Sequence, residues 1–179
     1  MEAGLLYTRQ QSRPRSGYRK IAELLVGSGA SLDVRDRFQD TPLHTACYSG
    51  KLDISRFLID RGSDINSRNQ LGLILLHWAS RNGHLDNVRL LLDRGCDVNV
   101  RDSQSWTPLH YASRCGHLDS ARLLMDRGAG VNAHNNDRWT SLHLASADGH
   151  LDTTKLLVER GVNVDSRNNK ERLPWTALQ

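Results

Sequence analysis

Eight histidines and three cysteines are the residues of this chain best suited to metal binding or nucleophilic attack. His44, His77, His110 and His143 form one row, and His84, His117 and His150 form another, each with members 33 residues apart. A metal needs three or four donors meeting at about 2.0–2.3 Å. Donors set one period apart do not converge, so no metal site is expected. Cys115 lies near His117, and near His84 in register, but no third orienting group or oxyanion motif accompanies them. There is no phosphate-cradling glycine loop, no Gly-x-Ser-x-Gly and no His-Glu-x-x-His. Asp53, Asp86, Asp119 and Asp152 recur with the same period, where they suit helix N-termini. These patterns give no catalytic residue and no cofactor, and they argue against an enzyme.

The element that must position such residues is a 33-residue unit. Glycines recur at Gly17, Gly50, Gly83, Gly116 and Gly149, and again at Gly29, Gly62, Gly95, Gly128 and Gly161. Leu25, Leu58, Leu91, Leu124 and Leu157 keep the period, as do Asp33, Asn66, Asn99, Asn132 and Asp165. Each unit reads as two short helices. In one of them Thr107 is a good N-cap and Pro108 suits the first helical position. Gly116 ends that helix, and a second runs from His117 to about Arg127. The polar stretch from Val131 to Trp139 reads as an extended hairpin. Helices of about ten residues are marginal alone. Stacking the units creates a shared core, with Ala46, Ala79, Ala112 and Ala145 allowing close approach of the first helices. Cys47 and Cys115 are expected to fill small spaces beside these alanines.

The formal charge is +4 over 179 residues. Arg9, Arg13, Arg15, Arg19 and Lys20, against Glu2 alone, place that excess in the first twenty residues, and the remainder is neutral. No apolar run approaches the roughly 20 residues of a membrane span. The odd cysteine count, without Cys-x-x-Cys, argues against a disulfide framework and for a reducing compartment, cytoplasmic or nuclear.

Thr41-Pro42-Leu43-His44-Thr45-Ala46 and Thr107-Pro108-Leu109-His110-Tyr111-Ala112 resemble the signature of the ankyrin repeat. Thr140-Ser141-Leu142-His143-Leu144-Ala145 lacks only the proline, and Ile74-Leu75-Leu76-His77-Trp78-Ala79 lacks Thr and Pro. The resemblance implies an all-α solenoid of stacked helix-turn-helix units with beta-hairpin connections. It also implies that the signature histidine bonds the backbone around the hairpin and first helix. The expected division is a basic, poorly ordered segment at 1–16 and an array at 17–179. Within the array lie a partial repeat at 17–34, repeats at about 35–67, 68–100, 101–133 and 134–166, and a partial repeat at 167–179. Ile74 should weaken the start of its helix by about 0.5–2 kcal/mol. The first unit keeps only its second helix, Tyr18 to Val26, because Pro14 interrupts the register of the first. Trp175-Thr176-Ala177-Leu178 matches Trp139-Thr140-Ser141-Leu142 at a spacing of 36, which implies three inserted residues. The stop at Gln179, inside a first helix, reads as a fragment of a longer array or a truncated product.

The family's partners usually meet the hairpin tips and first helices. Carried onto this chain, that surface contains Arg35, Arg68, Arg101 and His134, with Arg167 in the last hairpin. It also holds Asp40, Leu73, Trp106 and Trp139 before the signature, Tyr48, Arg81 and Arg114 toward the end of the first helix, and Phe38 and Leu71 on the hairpins. Trp, Tyr and Arg are enriched in interface hot spots. The expected function is a protein-interaction adaptor or scaffold, acting as a monomer, whose partner offers an acidic and apolar segment. The same residues admit a self-packing role. The rival is nucleic-acid association through the basic leader and arginine stripe, against which the neutral body stands. The chain also fits the targeting part of a larger enzyme or a ubiquitin-ligase adaptor. The settings of Asn66 and Asn99 resemble sites of asparaginyl hydroxylation, or serve only to stabilise the hairpins.

Overall fold

The computed structural model describes residues 15–178. Helix α1 (Arg15–Gly27) begins three residues before the expected Tyr18. The remainder of the doubtful first-helix register, Thr8 to Pro14, lies outside the described residues. Helix pairs follow: α2 (Pro42–Tyr48) with α3 (Leu52–Asp60), and α4 (Leu75–Arg81) with α5 (Leu85–Asp93). Then come α6 (Pro108–Arg114) with α7 (Leu118–Asp126), and α8 (Ser141–Ala147) with α9 (Leu151–Glu159). A 3-10 turn, Pro174–Leu178, packs on α8. First helices pack on first helices of the next unit, and second helices on second, so two helical layers run the length of the stack.

The signature residues explain where each first helix begins. The backbone N–H groups of His44, His110 and His143 each donate to the capping threonine's hydroxyl at 3.4 Å. In return the threonine N–H donates to the histidine Nδ1, at 3.1 Å for Thr41 and Thr107 and 3.3 Å for Thr140. Both orphan donors are thereby satisfied. Ile74 loses the hydroxyl, yet its N–H still reaches His77 Nδ1 at 3.1 Å and its side chain is only 1% exposed. Burial offsets part of the missing cap.

Second helices start without a side-chain cap and rely on Asp53, Asp86, Asp119 or Asp152 in the first turn. The glycines before them are required twice over. Gly50, Gly83 and Gly116 have φ between 66 and 68°, and a Cβ there would meet the ring of His84, His117 or His150 at 2.5–2.6 Å.

The core follows the periodic rows. Leu58, Leu91, Leu124 and Leu157 are no more than 4% exposed, and Ala46, Ala79, Ala112 and Ala145 match them. Removing one such leucine side chain typically costs about 2–5 kcal/mol. Cys47 is buried beside Ser55, with Sγ 3.7 Å from the hydroxyl, but Cys115 is exposed. Cys115 follows α6 as its C-cap, so it does not fill the space expected beside the alanines.

The connections are hairpin-shaped loops. The N–H groups of Asp36, Asn69, Asp102, Asn135 and Asn168 donate to the carbonyl four residues on, at 3.0–3.1 Å. The side-chain oxygen of each accepts backbone N–H groups two and four residues ahead. Among the described residues the single bridge pair is His134 with Thr140. The last hairpin removes the expected insertion. Asn168 donates to Arg172 as Asn135 donates to Trp139, so Pro174 falls two periods beyond Pro108. The Trp175 match to Trp139 is thus a coincidence of composition.

Candidate interaction surface

The two histidine rows serve the stacking of repeats. With Nδ1 occupied as an acceptor, Nε2 carries the proton and donates to the hairpin of the next repeat. His77 reaches Trp106 O, His110 reaches Trp139 O and His143 reaches Arg172 O, each at 3.1 Å, and His44 reaches Leu73 O at 3.4 Å. Burial lowers the affinity of all four rings for a second proton, pushing His77 and His110 down to about 4. The other row looks back along the stack. His84, His117 and His150 donate through Nε2 to the carbonyls of Tyr48, Arg81 and Arg114 at 2.8–3.0 Å. No group of three or more potential metal ligands occurs among the described residues. Burial pushes the thiols of Cys47 and Cys96 up to about 12, away from nucleophilic character.

The arginines fall on three surfaces. On the hairpin edge Arg35 Nη1 donates to Gln39 O at 2.9 Å and Arg68 O at 2.8 Å, while Nη2 reaches Ser67 Oγ at 2.7 Å. Arg68 Nη1 bridges Gly72 O and Arg101 O, both at 2.8 Å. Arg101 Nη1 bridges Ser105 O at 3.3 Å and His134 O at 2.9 Å. Each guanidinium closes its own loop and ties it to the next. Arg167 donates to Glu171 O at 3.3 Å. His134 interrupts the arginine row, and its Nδ1 lies 3.2 Å from Asn135 O. On the back of the stack Arg94, Arg127 and Arg160 pair with Asp60, Asp93 and Asp126 of the preceding repeat at 2.7–2.8 Å.

The third surface belongs to the first helices. Arg81 and Arg114 are exposed near the ends of α4 and α6. Arg81 lies over Trp78 at 5.5 Å, and Arg114 lies over Trp106 at 5.4 Å. Tyr48 meets Trp78 edge-on at 5.2 Å, and Trp106 meets Tyr111 at 5.1 Å. The Tyr111 hydroxyl donates to Asp102 Oδ2 at 2.7 Å, and burial together with that bond raises its pKa. Aromatic rings and one guanidinium thus group around each of two consecutive repeats, Tyr48, Trp78 and Arg81 on one side and Trp106, Tyr111 and Arg114 on the other, with Tyr111 edge-on to the buried His77 ring at 5.7 Å between them.

The sequence missed two members of these groups. Trp78 and Tyr111 follow the signature histidine and stand three residues before Arg81 and Arg114, on the same helix face. That spacing was the available signal. Leu73 leaves the predicted surface, because it is only 2% exposed and packs in the core. Trp106 and Trp139 are half-buried, and Asp40 is half-buried with Oδ1 accepting from Asn69 Nδ2 at 2.9 Å. Phe38 and Leu71 remain exposed at the hairpin tips, with Arg37 stacked 4.6 Å above the Phe38 ring. Their carbonyls accept the N–H groups of Gln70 and Ser103 from the next hairpin. Asn66 and Asn99 are exposed, and the Asn99 amide bridges Gly128 O and Gly130 N at 3.1 and 2.8 Å. A polar groove of about 320 Å³ lies between His134, Arg138, Asp165 and Arg167 near the end of the stack.

No helix of the described residues is long and apolar enough to cross a membrane. No curated protein matches the chain in sequence. A family model for ankyrin repeats, in three copies, matches residues 13–102 and 99–168. Such repeats generally serve as non-enzymatic protein-interaction modules. With the capping box, the paired helices and the inter-repeat histidine bonds in place, this chain belongs to the ankyrin-repeat family.

Proposed function

We propose that the array captures a segment of another protein along the first-helix stripe of Tyr48, Trp78, Arg81, Trp106, Tyr111 and Arg114. The observation that carries this reading is the pairing of aromatic rings with exposed guanidiniums on adjacent repeats. Aromatic anchors bring large contact area at low entropic cost, and arginine adds paired hydrogen bonds to carboxylates. Phe38, Leu71 and Trp139 flank the stripe and extend the contact toward the hairpins. The hairpin arginines Arg35, Arg68 and Arg101 hold the loops in place beneath it, and their remaining N–H groups border the ligand. The partner segment is acidic and apolar, and the array works as a monomeric adaptor in the cytoplasm or nucleus.

The nucleic-acid reading loses support. The hairpin members of its arginine stripe, Arg35, Arg68 and Arg101, are engaged with backbone carbonyls, and residues 21–179 carry no net charge. The test is affinity capture with the wild type and with Trp106→Ala combined with Arg114→Glu, after both are shown to melt alike. The variant should lose the proteins that the wild type retains. An unchanged set of retained proteins would place the binding surface elsewhere.

A further inference from the structure

Resting on that reading, we infer that the preferred ligand is an extended segment with two carboxylates three residues apart. Arg81 and Arg114 occupy the same position of consecutive first helices, which pack directly on each other. Packed helices lie about 8–10 Å apart. A polyproline II chain advances about 3.1 Å per residue with three residues per turn, so side chains three apart lie on one edge about 9 Å from each other and meet successive repeats. In that conformation spacings of two or four leave one carboxylate about 3 Å short of, or past, its guanidinium and turn it to another edge of the chain.

The charges on the flanks set the register. The position of Arg81 and Arg114 is held by Tyr48 one repeat earlier and by Ala147 one repeat later, so only the central repeats offer a guanidinium there. On the Tyr48 side the edge-on pair with Trp78 presents an apolar rim, fit for an aliphatic residue three positions from the first carboxylate. On the other side Asp148 stands 3.7 Å from Arg114. It competes for that guanidinium and opposes a third carboxylate. The approach of Arg81 to Trp78 and of Arg114 to Trp106 holds both guanidiniums beside aromatic rings, and their exposed side chains keep N–H groups for carboxylates beyond the Arg114 Nε that Asp148 approaches. Asp102, beside Tyr111, is already committed to that hydroxyl and to the N–H groups of Gln104 and Trp106.

The experiment is fluorescence anisotropy of the full chain with labelled peptides of the form Gly-Leu-Ser-Ser-Glu-Ser-Ser-Glu-Gly. Companion peptides move the second Glu to a spacing of two or four, and reversed sequences cover the opposite chain direction. Spacing three should bind about tenfold more tightly than either neighbour, the loss of one charge-assisted pair. A double variant, Arg81→Glu with Arg114→Glu, should lose that peptide and accept its counterpart bearing two Lys at spacing three. Equal affinity at all spacings, or no binding at any, overturns the inference. Capture that still depends on Trp106 would then leave the interaction surface standing, whereas loss of both results would remove the surface as well.

Discussion

Two arginine rows share one repeat and one residue type but do different work. Arg35, Arg68 and Arg101 stand on the hairpins and spend their donors on carbonyls within their own loop and one repeat on. Arg81 and Arg114 stand on the first helices, bind no backbone carbonyl among the described residues, and lie exposed over tryptophan rings, with Asp148 3.7 Å from Arg114 Nε. The difference comes from what each can reach. A hairpin arginine lies over two rows of loop carbonyls that lack strand partners, whereas the carbonyls around a helical arginine are already taken by the helix, its closing turn and the next repeat's histidine. Periodicity alone therefore marks a position and leaves its role to the local supply of acceptors.

Acid offers the strongest way to separate the two rows. His77 and His110 hold the hairpins against the first helices and take up protons only near pH 4, against about 6.5 when unfolded. Their folded affinity is lowered, so the stability they protect is complete above pH 6.5 and falls as pH drops toward 4. Each contributes a loss of about 3 kcal/mol across that window. Urea titrations at pH 7.5 and 4.5 should show most of this loss, and His77→Gln with His110→Gln should flatten it. A flat wild-type profile would mean that these rings are not buried and neutral.

The hairpin clamps come next. Arg68→Ala or Arg101→Ala should each lower stability by about 1–3 kcal/mol, because each gives up two bonds that tie adjacent loops, worth about 0.5–1.5 kcal/mol apiece. Chemical denaturation measures this. A change below about 0.5 kcal/mol would make the hairpin row a surface row like the other.

Ile74 joins the two rows, since it starts the helix bearing Arg81 and ends the loop closed by Arg68. Ile74→Thr restores a cap worth about 1 kcal/mol and gives up buried apolar area of similar worth, so the midpoint should move little. Gain or loss well beyond 1 kcal/mol would show that one effect dominates.

The smallest expected change belongs to Arg81→Glu with Arg114→Glu. Thermal melts should shift by no more than about 0.5 kcal/mol in stability while partner capture disappears. Marked destabilisation would give the helical row a structural role and end the contrast.

The repeat plan, the capping threonines and the leucine and alanine rows were legible from spacing, because each depends on local chemistry that recurs unchanged. The structural task of the signature histidine followed from the family resemblance. The surface was only half legible. Leu73 fills the register of exposed-edge residues before the signature, yet it is 2% exposed, like the capping position after it, which is 1–3% exposed in each of the four repeats whether Thr or Ile. Trp78 and Tyr111 lie inside the signature hexapeptides, outside the hairpin and helix-end positions that the family resemblance carries onto this chain. The supposed insertion near Lys170 came from matching Trp175 to Trp139, when Asn168 and Pro174 held the register throughout.

The bond from His117 to the Arg81 carbonyl, and from His150 to that of Arg114, means each binding arginine is anchored by the repeat that follows it. A ligand that seats itself on Arg81 cannot bend that helix end without pulling on the next helix pair. The guanidiniums stand on a rail rather than on separate posts, their separation fixed before any partner arrives. Little ordering entropy is then lost on association. For the ligand proposed above, the same stiffness would make the wrong length costly, so the stack would measure its partner as well as hold it.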